Sequence, residues 1–387
     1  MRLVIDCFKL IKGTGKSIGI YNVAKNIVQN LAKDADKPVT CSTSGTAYKN
    51  TIIVLGNKYN KADFDIPGVK FVCVKYNPND KVICLLWELF LVNIALKKLR
   101  PDRVLFPRGF APLFNRTENV VLIHDMIPFY YDKHYPGVLG KTNKYIMWRL
   151  LASARHASKV ITVSEYSKKD IMKIAKISSD KIAVIHNGLP IIGEIEDKYG
   201  YAACPGDIRS ITMLPDRPYI CAVTSSLPHK NADGIVKAYR AYCKMSRNPM
   251  DLVIIGLGDL SNYKLDLDVE SRITYFKYLP NDSDMHNVIK KSQVFLFASK
   301  QEGFGLPPLE AMALGVPVVC SDSSSLPEVV GDAAITVDCD DEIAIAEGLI
   351  CMEKPELREE YIAKGYKNIR RFTWDARIQD YRKILLG

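Results

Sequence analysis

From Gln293 to Ser321 the chain reads as strand, glycine turn, helix, strand. The core of this segment is Ser299-Lys-Gln-Glu-Gly-Phe-Gly-Leu-Pro-Pro-Leu-Glu-Ala-Met-Ala-Leu-Gly-Val-Pro-Val-Val-Cys-Ser321. Gln293–Ser299 is an apolar run with β-branched and aromatic residues, the pattern of a buried strand. Pro307 and Pro308 suit the first positions of a helix. Leu309, Ala311, Met312, Ala313 and Leu314 continue that helix, Gly315 is its stop signal, and Val316–Ser321 is the next strand. A helix N-terminus above a glycine turn presents backbone N–H groups that favour phosphate. Gly303, Phe304, Gly305 and Leu306 form the expected cradle. Glu302 falls in the turn and Glu310 in the first helical turn, eight positions apart. Carboxylates accept well from vicinal hydroxyls, so this pair around a phosphate cradle points to a nucleotide joined to a sugar. The plainer reading makes both glutamates helix-start acids stabilised by the dipole.

A chain of 387 residues predicts two domains. The N-terminus, Met1-Arg-Leu-Val-Ile-Asp-Cys-Phe-Lys9, carries an acid and a base in its apolar run and reads as a first strand rather than a signal peptide. Val82–Leu96 is the longest apolar stretch, too short to span a bilayer, and reads as a buried helix. Ten cysteines at irregular spacing, with no C-x-x-C pair, suit reduced core thiols of a cytoplasmic protein. Charge is uneven. Residues 1–190 hold 30 Lys+Arg against 14 Asp+Glu, a net +16, and the remainder is −6, giving +10 overall. A basic first half suits an anionic membrane surface, a lipid diphosphate or nucleic acid. A Lys-rich solvated face explains the same number.

Apolar β runs alternate with helical patterns, which predicts parallel sheets with helices on both faces. In the first half the strands are Arg2–Cys7, Thr51–Leu55, Lys70–Val74, Arg103–Phe106, Val120–His124, Val160–Val163 and Ile182–Ile185. The rhythm lapses over 189–217 and restarts at Tyr219–Val223. The reading is an N-terminal domain over 1–190, a hinge over 191–217 and a C-terminal domain over 218–387. Ligands of such sheets gather at strand C-terminal ends.

The Glu302–Glu310 segment resembles, over some twenty positions, the Glu-x7-Glu signature of family 4 glycosyltransferases. Ser323-Ser-Ser-Leu-Pro-Glu-Val-Val-Gly-Asp-Ala-Ala334, Val120-Val-Leu-Ile-His-Asp-Met-Ile-Pro128, Ile161-Thr-Val-Ser-Glu-Tyr-Ser-Lys168, Val184-Ile-His-Asn-Gly188 and Phe372-Thr-Trp374 extend the likeness along nearly the whole chain. The resemblance implies an α/β GT-B fold, two Rossmann-like doubly wound domains facing a central cleft. It also implies a nucleotide-diphosphate sugar as co-substrate, retention of anomeric configuration, no cofactor and no metal. The last helix of such enzymes commonly crosses back to the first domain. The overall look is similar to bacterial surface-polysaccharide enzymes, often mannosyl or rhamnosyl transferases.

The remaining motifs are read beside that likeness. Gly13-Thr-Gly-Lys-Ser17 is no P-loop, because Leu10 stands where a glycine is required. It resembles the family's first βα turn, which makes Gly15 and Gly19 donor-binding candidates. Lys230 directly follows a strand and can neutralise a departing diphosphate. The family commonly has Arg-Lys there, and this chain has His229-Lys230. His124 and Asp125 close an apolar strand. By resemblance the histidine approaches the donor sugar or acceptor hydroxyl, and Asp125 orients it, caps the next helix, or both. Asp63-Phe-Asp65, Asp266-Leu-Asp268 and Asp282-Ser-Asp284 match a D-x-D pattern that chance supplies freely, and no metal is assigned. Gly256-Leu-Gly258 reads as a turn on the nucleotide-base side. Lys141, Lys144, Tyr145, Trp148 and Arg149 share a predicted helix that suits either a membrane surface or an ordinary core-facing element.

The expected reaction is hexose or deoxyhexose transfer to a hydroxyl of a glycan or polyprenyl-diphosphate-linked acceptor in surface polysaccharide synthesis. Catalytic candidates are His124, Asp125 and Glu302. Donor-binding candidates are Gly15, Gly19, Lys230, Gly303, Phe304, Gly305, Leu306 and Glu310. Peripheral contact with the inner face of the cell membrane is expected, and nucleic acid is not. The competing readings are another GT-B catalyst, an epimerase of UDP-sugars or a phosphorylase, and a non-enzymatic basic module binding nucleic acid, for which no motif is present.

Overall fold

The computed structural model describes residues 1–12, 18–33, 39–40, 47–48, 50–189, 214–279 and 282–387. Two compact units result, Met1–Gly188 with Trp374–Gly387, and Leu189–Thr373. Most of the stretch read as a hinge, including Pro205, lies outside the described residues.

The first unit holds β1 (Arg2–Asp6), the short ribbon β2 (Val39–Thr40) and β3 (Ala47–Tyr48), β4 (Thr51–Gly56), β5 (Val69–Cys73), β6 (Arg103–Phe106), β7 (Glu118–Leu122), β8 (Lys159–Thr162) and β9 (Ile182–Val184). Seven of these form one sheet in the order β5-β4-β1-β6-β7-β8-β9. All its pairings are parallel. Its central strands are continuous aliphatic runs because both faces are covered. The order reverses between β1 and β6, which is the switch point of the sheet. The closing helix, Trp374–Leu385, belongs here and not with the residues that precede it. Arg382 donates to the carbonyl of Asn30 at 3.1 Å, and Arg103 donates to that of Ile384. Gly188 leaves room for Trp374, whose indole would lie 2.6 Å from any Cβ at that position.

Two expectations need correction in this unit. The apolar stretch Val82–Leu96 is not a buried helix. It is an α-helix over Lys81–Leu86, a wider π turn over Trp87–Leu91 and an α-helix over Val92–Leu99. Trp87 and Glu88 turn inward, while Val82, Leu85, Leu86, Phe90 and Ile94 are exposed. Arg149 is not on a surface face either. Its side chain is fully buried and donates to the carbonyls of Ala111 at 2.5 Å and Glu88 at 3.3 Å.

The second unit holds β10 (Tyr219–Val223), β11 (Asp251–Ile255), β12 (Ile273–Phe276), β13 (Val294–Phe297), β14 (Val318–Ser321) and β15 (Ala334–Val337). Their order is β12-β11-β10-β13-β14-β15, parallel throughout. The helices Ala232–Met245 and Glu342–Cys351 bury Ile235, Tyr239, Ile345 and Leu349 against one face. Here the order reverses between β10 and β13.

Candidate active site

The loops leaving β10 and β13 face each other across the second switch point, and the segments singled out in the sequence occupy them. After β10 the chain makes a tight turn over Pro228–Lys230. Asn231, at φ 55°, donates through Nδ2 to the carbonyls of Ala298 at 3.1 Å and Cys339 at 2.7 Å. Thr224 Oγ1 donates to the Lys230 carbonyl at 2.8 Å. Lys300 N–H donates to the His229 carbonyl at 2.8 Å. With its backbone tied on both sides, Lys230 reaches over the Phe297 ring and places Nζ 2.6 Å from Glu302 Oε1. The two side chains are 27% and 12% exposed, open enough for a ligand and dry enough for charge to count.

The turn bearing Glu302 is clamped by two serines. Glu302 N–H donates to Ser324 Oγ at 3.0 Å. Ser325 Oγ donates to the carbonyls of Phe304 at 2.7 Å and Glu302 at 3.1 Å. Gly305 follows at φ 112°, and a Cβ there would stand 2.5 Å from Leu326 Cδ2. Only glycine meets both conditions. Phe304 is buried and packs edge-on against Phe372, with centroids 5.6 Å apart. The helix begins at Leu306, one residue before the expected start, and runs to Ala313. Its two prolines contribute no N–H, so of its first three positions only Leu306 carries a donor. The helix start itself therefore offers an anion few donors.

Glu310 is the fifth helical residue and sits in the second turn rather than the first. Its Oε2 lies 4.0 Å from Nε2 of the buried His286. His229, where the family commonly has arginine, is no second cation. Burial, with Lys230 adding to it and Glu302 opposing, pushes its pKa down to about 4. Gly256 has a structural reason of its own. It stands at φ 102°, and a Cβ would fall on the Thr224 carbonyl oxygen.

In the first unit, His124 follows the end of β7 with Nε2 3.0 Å from the Pro107 carbonyl. A carbonyl only accepts, so Nε2 carries the proton and Nδ1 holds the lone pair. Burial pushes this pKa down to about 4, against the pull of the Pro107 carbonyl, so the ring is neutral near pH 7. Asp125 Oδ1 accepts from Ile127 N–H at 2.9 Å at the entrance to the Ile127–His134 helix. Gly19 lies in the first turn of the Ile18–Ala32 helix, where a Cβ would meet nothing within 4 Å. No internal packing among the described residues explains that glycine. Gly15 lies outside the described residues.

Among the described residues, Asp338, Cys339 and Asp340 could together hold a metal ion. Asp340 is paired with Lys300, and the Cys339 thiol lies 3.4 Å from Ser323 Oγ. Of the D-x-D motifs, Asp63 already accepts from Tyr21 at 2.6 Å and Lys25 at 2.5 Å.

Ser324, Ser325, Asn231 and His286 were not singled out from the sequence. The serines stood in a quoted motif, but nothing local marked them as clamps. Ser324 adopts a left-handed φ of 57°, which a serine triplet does not announce.

The profile described as "Glycosyltransferase Family 4" matches residues 19–191, and that described as "Glycosyl transferases group 1" matches residues 207–368. The chain is 29% identical over 276 residues to O-antigen chain mannosyltransferase B of Escherichia coli, covering 70% of each. It is 26% identical over 296 residues to O-antigen chain mannosyltransferase RfbU of Salmonella typhimurium, covering 73% of this chain and 75% of the relative. Among solved structures, a glycosyltransferase from Rickettsia africae superposes with a TM-score of 0.66 at 16% identity, over 99% of this chain and 97% of that one.

Proposed function

Since the chain is a glycosyltransferase of the GT-B fold, joining family 4 and group 1 halves, we propose that it moves a hexose or deoxyhexose, with mannose first among them, from a nucleoside diphosphate to a glycan hydroxyl in surface polysaccharide synthesis. One observation carries the donor side: Lys230 and Glu302 meet at 2.6 Å over the clamped Gly303–Leu306 turn at a sheet switch point. Lys230 and the turn amides stabilise charge on the leaving diphosphate. Glu310 takes the ribose hydroxyls, and Glu302 takes hydroxyls of the sugar, fixing the anomeric carbon. His124, neutral and with Nδ1 as its acceptor, contacts a substrate hydroxyl. The departing phosphate oxygen receives the acceptor proton on the same face, which gives retention, and no metal takes part. A thermal-shift and hydrolysis screen against UDP-, GDP-, ADP- and dTDP-sugars tests this reading. Selective stabilisation and turnover by one of them is expected. No response to any nucleotide sugar refutes it.

The acceptor is proposed to be lipid-linked and met at an anionic membrane surface on the cytoplasmic side. The support is the exposed stripe of Val82, Leu85, Leu86, Phe90 and Ile94, with Phe114 near it through the Asn93–Leu113 hydrogen bond of 2.9 Å. Exposed Lys81, Lys97, Lys98 and Arg100 bracket the stripe. Apolar side chains between basic ones match an anionic bilayer, and the net +16 of residues 1–190 has the complementary sign. Among the described residues, no helix is long and apolar enough to cross a membrane.

A further inference from the structure

Glu310 is the sole polar side chain of its helix, Leu306–Ala313, whose other residues are leucine, proline, alanine and methionine. Leu309, Ala311 and Met312 are buried, whereas Glu310 is partly exposed. No other side chain of that helix can donate to its carboxylate. The helix Asp282–Lys290 packs beside it. From there the buried His286 brings Nε2 to 4.0 Å from Glu310 Oε2.

The imidazole stands on a rigid support. Val288 and Ile289 of the same helix are fully buried. The Tyr219 hydroxyl, on β10, donates to the Val288 carbonyl at 2.7 Å, and Ser292 Oγ donates to that of Ile289 at 2.7 Å. A residue that only filled this space would be aliphatic, because burying an imidazole costs desolvation. The 4.0 Å gap is too long for a hydrogen bond, yet a small side-chain rotation closes it. The residue type suits the task. A lysine or arginine there would neutralise Glu310 outright. A neutral imidazole gives one N–H and leaves the carboxylate its charge.

We propose that His286 is a positioning residue for the donor: its Nε2–H holds one oxygen of Glu310 and turns the other toward the vicinal hydroxyls of the nucleotide ribose. The proposal rests on the transferase reading above, which gives Glu310 the ribose. A glutamate with no donor beside it on its own helix samples several rotamers. Holding it in one of them removes that entropy cost before the nucleotide arrives. His286 touches no ligand in this scheme and acts through Glu310 alone. Its effect is therefore confined to ligands that carry ribose hydroxyls, and it vanishes when Glu310 is absent.

The test is calorimetry on the full chain, with whichever of UDP, GDP, ADP and dTDP binds best and with its 2′,3′-dideoxy analogue. A glutamine amide can place an N–H where Nε2 stands, and an asparagine amide only where Nδ1 stands. His286→Asn should therefore weaken the natural nucleotide about tenfold and the analogue by no more than about twofold. His286→Gln should stay within about threefold of wild type for both. In a Glu310→Ala background, His286→Asn should cost nothing further. Steady affinity for the analogue reports that the variants are folded. A second measurement needs no variant: the imidazole ¹⁵N signals of His286 should shift with the natural nucleotide and stay in place with the analogue. Equal losses for the two ligands, losses additive with Glu310→Ala, His286→Gln as weak as His286→Asn, or ¹⁵N signals that ignore the natural nucleotide overturn the proposal alone. A wild type that binds none of these nucleotides overturns the transferase reading, and the proposal with it.

Discussion

Lys230 Nζ and Glu302 Oε1 are 2.6 Å apart, although 72 residues, with β11, β12 and β13 among them, separate them in sequence. They meet because β10 and β13 are neighbours at the switch point, so the loops that follow them leave the sheet side by side. Each side chain neutralises the other while the site is free of ligand. On the proposed reading, a diphosphate at Lys230 would share its charge and release Glu302 oxygens for hydroxyls, so that one ion pair would couple the two halves of a nucleotide sugar.

That coupling separates the roles of the two glutamates. Glu310→Ala should weaken free nucleoside diphosphate and intact donor alike, by about tenfold, as loss of a hydrogen bond from a charged acceptor does. Glu302→Gln should leave nucleotide affinity within about threefold and lower kcat on the order of a hundredfold, because its partner is the sugar. Calorimetry and steady-state rates on both variants decide this. Equal loss of nucleotide affinity in the two would dissolve the assignment.

The turn should tolerate no side chain at Gly305. Gly305→Ala meets a φ of 112° and the Leu326 side chain together. A strain of about 1–3 kcal/mol follows, and relief requires moving the turn that Ser324 and Ser325 clamp. We expect a lower melting temperature and loss of nucleotide binding. Ser325→Ala should show the milder version. Wild-type affinity in Gly305→Ala would show that the turn conformation is irrelevant to the donor.

Strands were the most legible part of the chain. Arg103–Phe106 and Tyr219–Val223 appear with the expected limits, because parallel strands covered on both faces are nearly unbroken apolar runs. The short helix Lys61–Phe64 and the two-residue strands β2 and β3 carry no periodicity to read. Val82–Leu96 misled for a physical reason: burial was inferred from apolarity, and an exposed apolar stripe has the same composition as a core-facing one. Arg149 misled in the opposite direction, since a lone arginine among Lys and Trp looks solvated until its carbonyl partners, 38 and 61 residues away, are known. At the proposed donor site, Glu302, Glu310 and Lys230 were visible as motif residues. Their mutual geometry was not, because strand order is a long-range property.

Transfer should proceed without a divalent metal. On the proposed reading Lys230 supplies the positive charge a diphosphate needs, and the D-x-D carboxylate of Asp63 is occupied by Tyr21 and Lys25. Activity measured after exhaustive EDTA treatment should equal that of untreated enzyme. Activity abolished by EDTA and restored by magnesium or manganese would overturn this.

Stability should carry the mark of His124. Its pKa is about 4 in the folded chain against 6.5 when free, so the unfolded state binds the extra proton between those values. A depressed pKa gives a contribution that is complete above pH 6.5 and fades as pH falls toward 4. Between pH 7 and pH 5 the loss is about 2 kcal/mol. His124→Gln can keep a donor toward the Pro107 carbonyl while removing the titration. Urea unfolding at the two pH values should therefore show a smaller drop for the variant, by about that amount. Equal drops would mean that the imidazole is hydrated and titrates normally.

The membrane prediction turns on which face of the first unit meets lipid. Arg149 is buried, so a surface built on Lys141, Lys144 and Arg149 is ruled out as a unit. The stripe on the helical segments over 81–99 is the better candidate. Leu86, Phe90 and Ile94 are 39%, 47% and 57% exposed, so polar replacements there disturb little of the core. Partial insertion of each is worth on the order of 1 kcal/mol, and Leu86→Asn, Phe90→Asn and Ile94→Asn together should weaken binding to anionic vesicles about a hundredfold. Neutralising Lys97 and Lys98 should remove roughly 1 kcal/mol per charge at low salt and much less at high salt, where the Debye length shrinks to a few ångströms. Co-sedimentation with phosphatidylglycerol and phosphatidylcholine vesicles reads both effects, with donor hydrolysis as the check on folding. If the triple variant pellets like wild type, lipid meets another face. If wild type shows no preference for anionic vesicles at low salt, the stripe serves a protein partner and the acceptor is soluble.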